Sequence, residues 1–272
     1  MAGSDQHHYV SEFLLQPWRL KSGKVKYYDF DNGRLHHRGT GEVFCLPGLN
    51  TDGAEKAFNR YIETPVSRLR ERLLSTPVGT RSVNIDDWAA YRALYLLVLI
   101  QGARASEAFD GPVPSLSNAD LFELGEAALD HMVQLSVQRF QLMLIPVGDP
   151  DRLFFPSTGI FGLPLPDERA PTRFSMCIGM PLTPSVLVAL TPTTVLANAT
   201  QGVTHVAQMS IGAERARQVI IPPDYVAHVG KQDLIATMNT ERVRVVAMMQ
   251  DIQELHLLLE RAHEITGLPA RP

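Results

Sequence analysis

The apolar residues in the first half of the chain recur at the three- and four-residue spacing of helices. Between positions 53 and 75 this spacing gives one buried face, and Pro65, which lacks a backbone N–H, is expected to kink or divide the segment. A second helix is predicted to start from a cap at Asn84 or Asp86 and to end near Phe109. Its stretch 91–100 is apolar on nearly every face, so we expect this helix to lie in the core.

Further helices are predicted over 117–138, 198–217 and 232–266. Asp120 lies where a carboxylate complements the free N–H groups of a first turn. The last helix carries an apolar stripe, which fits packing on the core better than the seam of a homodimer, because only about three heptads are sustained. The stripe consists of Val243, Val246, Met249, Ile252, Leu255, Leu259 and Ala262.

Strand patterns occupy the remaining parts of the chain. Near the N-terminus, Asn32-Gly33 separates two strand-like runs within 24–38 and predicts a hairpin with a type I′ turn, beside a strand from Tyr9 to Leu15. Between 140 and 222, apolar runs alternate with Gly and Pro, which predicts four or five mostly antiparallel strands. These runs are 140–147, 152–156, 173–180, 185–190 and 218–221.

Together the patterns predict a single α+β domain over residues 1–272, long enough to bury a substantial core. Its predicted parts are N-terminal strands (1–40), a helical middle (53–138), a sheet region (140–222) and a long C-terminal helix (232–266).

Composition removes several classes of function. The formal net charge is −4, so no global positive field attracts a nucleic acid, and a nucleic-acid role would need a local basic patch. Cys45 and Cys177 form no Cys-x-x-Cys motif, which disfavours a disulfide framework or a zinc module and is typical of reduced cytosolic thiols. The longest apolar run, 94–100, is far shorter than the roughly 20 residues of a membrane span, and residues 1–6 have no signal-peptide pattern. We therefore expect a soluble cytoplasmic protein without a cofactor.

Five short motifs occur in order along almost the whole chain. They are His8-Tyr9-Val10-Ser11 before an apolar run, Val25-Lys26-Tyr27-Tyr28-Asp29, Tyr61-Ile62-Glu63 with Leu69, Ile100-Gln101-Gly102-Ala103-Arg104, and Met180-Pro181-Leu182-Thr183-Pro184. In this order they resemble a widespread family of uncharacterised proteins, domain of unknown function 4238, whose members begin with His-Tyr-Val-Pro. The resemblance implies an architecture and a candidate pocket, but no reaction.

The chain departs from this family at two places. Ser11 replaces the proline of the opening motif. Ser157-Thr158-Gly159 lies where the family has a Thr-Ser-Asp-Asn-Pro turn, and it lacks the acidic and amide residues of that turn. If the turn supplies a catalytic carboxylate in relatives, this chain has lost it, which favours binding over catalysis.

The histidines near the N-terminus are candidates for chemistry. Adjacent strand residues point to opposite faces, so His7 and His8 do not share a pocket and Tyr9 faces away from His8. His8 is a candidate general base or phosphate partner, because an imidazole exchanges a proton near neutral pH. The alternative is a half-buried histidine bonded to the backbone. A metal site with His36 and His37 is disfavoured, because no acidic or thiolate partner lies at a ligand spacing.

Gln101 and Arg104 lie at positions i and i+3 on one face of the apolar second helix. A guanidinium in such surroundings needs a partner. Glu63 would make a structural pair with Arg104, whereas a phosphate or carboxylate ligand would make a binding site. Tyr9, Glu63, Gln101 and Arg104 are therefore the predicted ligand-binding residues beside His8.

Two basic stretches, 68–72 and 215–217, are interleaved with acids and are interpreted as solvated helix faces rather than a nucleic-acid patch. Two hypotheses then remain. The first is a binding, regulatory or defence-associated module with a polar site around His8 and Arg104. The second is a hydrolase or nuclease-like effector, in which His8 is the base and Arg104 binds an anionic group. The partners stay unknown, and a homodimer through the last helix stays open.

Overall fold

The computed structural model describes residues 6–47, 52–74, 88–108, 126–147, 152–167, 170–193, 206–211, 216–228 and 230–266, and the fold is α+β as predicted. The strands are β1 (Gln6–His8), β2 (Lys24–Asp29), β3 (Arg34–Gly39), β4 (Cys45–Pro47), β5 (Phe140–Pro146), β6 (Phe155–Pro156), β7 (Phe161–Asp167), β8 (Ala170–Thr183), β9 (Val186–Pro192) and β10 (Gln218–Ile220). The helices are α1 (Glu12–Leu15), α2 (Asp52–Phe58), α3 (Thr64–Leu74), α4 (Trp88–Ala108), α5 (Glu126–Ser136), α6 (Val206–Ile211), α7 (Pro223–His228) and α8 (Lys231–Thr266).

In the described part of the chain, the strands form one small sheet and two larger ones. β1 pairs with β4, and the four-stranded sheets have the orders β3-β2-β10-β6 and β5-β9-β8-β7. All of these pairs are antiparallel. The predicted sheet region is thus divided, because β6 and β10 join the N-terminal hairpin while β5, β7, β8 and β9 form a sheet of their own.

The predicted hairpin is present, but its turn differs from the prediction. β2 and β3 pair as far as Asp29 and Arg34, which leaves a loop of four residues, 30–33. A type I′ turn needs positive φ at both central residues, and here Gly33 has φ +65° whereas Asn32 is not in that region. The Asp29 carboxylate stabilises the longer loop by accepting the backbone N–H of Asp31 at 3.0 Å.

The predicted strand from Tyr9 to Leu15 is wrong. The chain leaves β1 after His8, forms α1 and continues into a 3₁₀ turn over residues 16–18. Leu14, Leu15 and Trp18 are fully buried. A short run of consecutive apolar residues has no period of its own, so it can be a buried helical turn as easily as a strand.

Pro65 divides the first long helical segment, as predicted. α2 ends at Phe58, a π-helical turn spans Asn59–Glu63, and α3 begins at Thr64. The N–H of Thr64 donates to the carbonyl of Asn59, five residues earlier. The wider turn accommodates a proline that has no N–H to contribute to the helix.

α4 is the centre of the main core, as its sequence predicted. Every residue from Ala93 to Val98 is buried. The predicted caps of this helix at Asn84 and Asp86, and Asp120 of the next helix, lie outside the described residues. Within the described residues, neither α4 nor any other helix is both long and apolar enough to cross a lipid bilayer.

Both large sheets lie between two groups of helices. One side of them packs against α1, α3 and α4 through residues that include Val25, Tyr27, Phe155, Met180, Leu182, Val188 and Ile220. Their other side packs against α6 and α8 through residues that include Tyr28, Leu163, Leu187, Val219 and Ile221. Among the described side chains of α8, which end at residue 251, Leu234, Met238 and Val245 are buried. The predicted core stripe is wrong at its first residue, because Val243 is 71% exposed.

Candidate functional site

The end of β1 separates two depressions in the surface, and consecutive residues line them. The His8 cleft has a volume of about 340 Å³ and is lined by His8, Ser11, Glu12, Phe13, Gln16, Glu55 and Glu63. The Tyr9 groove has a volume of about 470 Å³ and is lined by Tyr9, Tyr27, Asp29, Asp31, Asn32, His36, Arg38, Glu42, Val43, Phe44, Cys45, Ser157, Arg217 and Gln218. His8 and Tyr9 therefore open to opposite sides, as alternation along a strand predicted.

Glu12, at the start of α1, forms one wall of the His8 cleft. Its Oε1 accepts a hydrogen bond from the hydroxyl of the buried Thr40 at 2.6 Å and lies 3.5 Å from Nη2 of Arg19. The same Arg19 nitrogen donates to the Thr40 hydroxyl oxygen at 2.7 Å. The charge of Glu12 is thus already compensated, and the three side chains tie α1 to the turn after β3.

Glu55 and Glu63 form the opposite wall of this cleft. In an uninterrupted α-helix, residues eight apart are rotated by about 80° from one another. The π-helical turn between them has more residues per turn, which reduces this rotation and brings both carboxylates to the cleft. Nδ2 of Asn59 donates to Oε2 of Glu63 at 3.4 Å, which positions this carboxylate. Pro65 and its π-helical turn therefore shape the site.

Arg70, on α3, supports the cleft from behind. The sequence analysis placed it on a solvated face, and for this residue that interpretation is wrong, because only 5% of its surface is exposed. Its Nη1 donates to the carbonyl of Phe13, its Nη2 to the side chain of Gln16, and its guanidinium lies 5.5 Å from the centre of the Phe13 ring. The neighbouring Glu71 and Arg72 are exposed, as predicted.

Gln101 lies in the interior rather than along either depression. Its side chain is fully buried, and its Nε2 donates to the carbonyl of Tyr9 at 2.9 Å and to that of Thr158 at 3.3 Å. The amide therefore joins α4, the end of β1 and the turn between β6 and β7. Because Gln101 is the residue between these three elements, it positions the backbone from which both His8 and Tyr9 extend.

The turn over 157–160 is shaped around Gln101 and around β10. Gly159 has φ +72°, and a Cβ atom there would lie 2.7–2.8 Å from the side chain of Gln101. The buried Ser157 hydroxyl accepts the backbone N–H groups of Arg217 at 3.1 Å and Gln218 at 3.2 Å. At this turn the chain therefore has a serine that binds the backbone beside the groove.

Two uncharged groups lie at the bottom of the Tyr9 groove. Burial raises the pKa of the Tyr9 hydroxyl, and the nearby Cys45 thiol raises it further, whereas the charge of Arg217 opposes the change. Burial also raises the pKa of the Cys45 thiol, the charge of Arg38 opposes that change, and the charge of Glu42 adds to it. The phenol and the thiol therefore remain protonated near neutral pH, with a guanidinium near each and a carboxylate near the thiol.

The walls of the groove are held by ring contacts. Phe44 has φ +56°, a left-handed conformation that costs a bulky residue about 1–3 kcal/mol. Its ring lies 5.9 Å from that of Tyr9, and its carbonyl accepts the N–H of Tyr9 at 3.0 Å. On the other wall, the rings of Tyr27 and His36 are stacked at 5.1 Å, and the Asn32 amide lies 3.4 Å from Nε2 of His36. The pairing of β2 with β3 places the two rings opposite each other.

The structure brings together some of the predicted site residues and separates others. His8 and Glu63 share the cleft, Tyr9 lines the groove, and Gln101 lies between them. The side chains of Arg104 and His7 lie outside the described residues. Among the described residues, no group of three or more His, Cys, Asp or Glu side chains is arranged to hold a metal ion.

Several residues of the two depressions were not predicted. Glu12 and Glu55 line the cleft, and Arg38 and Arg217 line the groove. The one available signal was Pro65, since a proline within a helical pattern indicates an irregular turn that changes which residues share a face. The charged residues of the groove come from the β2–β3 hairpin, from the turn after it and from Arg217 before β10, and only the sheet order brings Arg217 to the hairpin.

Comparisons with models of known protein families, with curated proteins and with solved structures found no match.

Proposed function

We propose that this protein is a binding module that takes an organic cation, carrying an ammonium or guanidinium group, into the His8 cleft. The observation that supports this proposal is the lining of the cleft. Three glutamates and a histidine line it, and no lysine or arginine is among the described residues that do so. A cavity of about 340 Å³ is at the small end of the roughly 300–1,000 Å³ typical of ligand sites.

The acids of the cleft lie on two walls. Glu12, on one wall, is paired with Arg19. Glu55 and Glu63 line the other wall, and both are half-buried. A ligand ammonium between Glu55 and Glu63 would gain the attraction of two carboxylates in partly buried surroundings.

A hydrolase or nuclease-like effector is the second candidate function. The observation that favours it is that His8 opens to a cleft, where a general base could reach a substrate. The acidic lining would repel an anionic substrate in this cleft. The anionic group assigned to Arg104 and the resemblance to the domain of unknown function 4238 family stay predictions.

The same proposal places the protein in the cytoplasm. Both cysteines are free thiols, and free thiols are typical of proteins in that reducing compartment. No described residue specifically supports a regulatory or defence-associated role, so the proposal is confined to binding.

The test is calorimetric titration of the protein with spermidine and with arginine methyl ester, compared with AMP. We expect both amines to bind, and we expect added salt to weaken their binding because the attraction is between charges. Replacing both wall carboxylates (Glu55→Gln with Glu63→Gln) should lower the affinity for both amines at least tenfold, which corresponds to about 1.4 kcal/mol.

Glu71→Gln is the matched control, since Glu71 is an exposed glutamate on α3 that does not line the cleft. It should leave both affinities unchanged. The proposal fails if neither amine binds at millimolar concentration, or if the double variant binds them as the parent does. His8→Ala, assayed against RNA, nucleotides and esters, tests the second candidate, which requires turnover by the parent that the variant lacks.

A further inference from the structure

We propose that the ligand of the His8 cleft is an arylalkylamine, that is, an amine joined by a short chain to a flat aromatic ring. Its ammonium lies between Glu55 and Glu63, and its ring stacks on Phe13. This inference rests on the function proposed above and names the class of ligand. Phe13 is the one apolar side chain among the described residues that line the cleft. An apolar group that enters the cleft therefore leaves water only by contact with this ring.

The ring of Phe13 is held in position by Arg70. The guanidinium lies over the ring, 5.5 Å from its centre, and donates a hydrogen bond to the carbonyl of Phe13 itself. Its second nitrogen, Nη2, donates to the side chain of Gln16 at 3.4 Å. Phe13 is half-buried and packs against the main core, so its ring has little freedom to turn. A surface that is already ordered costs less conformational entropy when a ligand binds to it.

The charges of the cleft determine which end of the ligand meets the ring. Glu55 and Glu63 line one wall and attract the ammonium. The ring of Phe13 already has a cation, Arg70, on one face, and this positive charge weakens the attraction of the opposite face for a second cation. The ammonium therefore lies at the wall of carboxylates. The uncharged ring of the ligand lies on Phe13 in the offset-stacked arrangement that aromatic pairs favour.

The volume of the cleft suits a ligand of this size. An apolar cavity of roughly 150 Å³ is enough to hold benzene. The cleft has a volume of about 340 Å³, which leaves room for an ammonium and a chain of a few carbons beside the ring.

The experiment is a calorimetric titration of the full chain with three matched pairs of amines. Benzylamine, phenethylamine and 3-phenylpropylamine carry the ring, whereas methylamine, ethylamine and propylamine are the same amines without it. We expect at least one arylalkylamine to bind at least tenfold more tightly than its alkylamine partner, because burial of the ring adds to the attraction between charges. 3-Phenylpropionate, which has the ring but a carboxylate in place of the ammonium, should bind at least tenfold more weakly than 3-phenylpropylamine.

Phe13→Leu tests the contact with the ring directly. Leucine remains apolar but cannot stack, so the ratio of the two affinities within the best matched pair should fall at least threefold. Phe13→Tyr keeps the ring and should retain most of this ratio. Phe140→Leu is the matched control, because Phe140 is an exposed phenylalanine on β5 that does not line the cleft. It should leave the ratio unchanged.

The inference is overturned if no arylalkylamine binds more tightly than its alkylamine partner, or if Phe13→Leu keeps the parental ratio. Titration of the parent with spermidine separates this failure from failure of the proposed function. Spermidine binding without any advantage for the ring overturns the aromatic ligand alone, whereas no binding by any amine overturns both. If the melting temperature shows that Phe13→Leu is unfolded, the three matched pairs on the parent decide the question.

Discussion

The His8 cleft and the Tyr9 groove share one strand as their boundary, but they are built from different parts of the fold. Helical elements line the cleft, namely α1, α2 and the π-helical turn, and the cleft is acidic. Strands and the turns between them line the groove, which combines two arginines and three acids with stacked rings. Because neighbours along an extended chain point to opposite faces, two consecutive residues open to depressions with different linings. Adjacency in sequence is therefore a poor guide to a shared function.

Gly159→Ala should have the largest effect, since it disturbs the anchor on which both sites depend. The new Cβ would meet Gln101 at 2.7–2.8 Å at a positive φ, so strain and overpacking add. We expect the free energy of unfolding in urea to fall by about 2–5 kcal/mol. Gly23→Ala separates the two causes, because Gly23 has φ +77° but no atom within 4 Å of its Cβ. That control should cost only about 1–2 kcal/mol. Equal losses in the two variants would show that contact with Gln101 is unimportant.

Gln101→Leu should disturb both depressions together. The carbonyls of Tyr9 and Thr158 lose their shared donor inside the core. The expected loss of unfolding free energy is about 1–3 kcal/mol. Spermidine should bind more weakly and iodoacetamide should modify Cys45 of the groove faster, and no variant confined to one depression should produce both changes. Gln134→Leu, on an exposed position of α5, controls for the chemical change. An unchanged spermidine affinity with an unchanged rate at Cys45 would contradict a common anchor.

Arg70→Met should sharpen the comparison by acting on the cleft alone. It removes the donor to the carbonyl of Phe13 behind the cleft while leaving the groove intact. We expect a loss of about 1–2 kcal/mol in unfolding free energy and weaker binding of spermidine, with the rate of modification of Cys45 in the groove unchanged. Arg72→Met, two residues along the same helix and exposed, should change stability by less than about 0.5 kcal/mol. A larger loss of unfolding free energy for Arg72→Met than for Arg70→Met would argue against a supporting role for Arg70.

The smallest effect concerns the two thiols, only one of which lines a depression. Burial raises the pKa of Cys177 to about 12, and it raises that of the half-buried Cys45 in the same direction. A raised pKa means less of the reactive thiolate at pH 8, so both react slowly. We expect iodoacetamide to modify Cys45 first, and Cys177 only after unfolding, as peptide mass spectrometry can follow. Faster modification of Cys177 in the folded protein would contradict its burial.

Long, strongly periodic elements could be predicted from the sequence. The apolar stretch of α4, the β2–β3 hairpin and the division of a helix at Pro65 all follow from local rules of spacing and backbone chemistry. β7 was missed, because Pro164 and Pro166 argue against a strand. Among the described strands it is an edge strand that pairs with β8 alone, so residues without an N–H are tolerated there.

The candidate site was predicted only in part, because it joins residues that are far apart along the chain. The opposite directions of His8 and Tyr9 follow from the period of a strand. The pairing of β1 with β4 does not follow from any local pattern. The approach of Arg217 to Tyr9, which lies 208 positions earlier, does not follow from one either. Glu55 and Glu63 share a cleft only because of a π-helical turn, whose extra width cannot be recognised from apolar spacing.

The bond from Gln101 to the carbonyl of Tyr9 also fixes the alignment of the strand that separates the two depressions. β1 pairs with β4 through three residue pairs and ends at His8, and so short a ladder resists a slip of one residue only weakly. Such a slip would turn the opposite face of the chain toward each depression. The side-chain amide of Gln101, held on α4, can donate to the carbonyl of Tyr9 in one alignment alone, so it opposes the slip. The placement of the side chains in both depressions thus depends on a residue that lines neither.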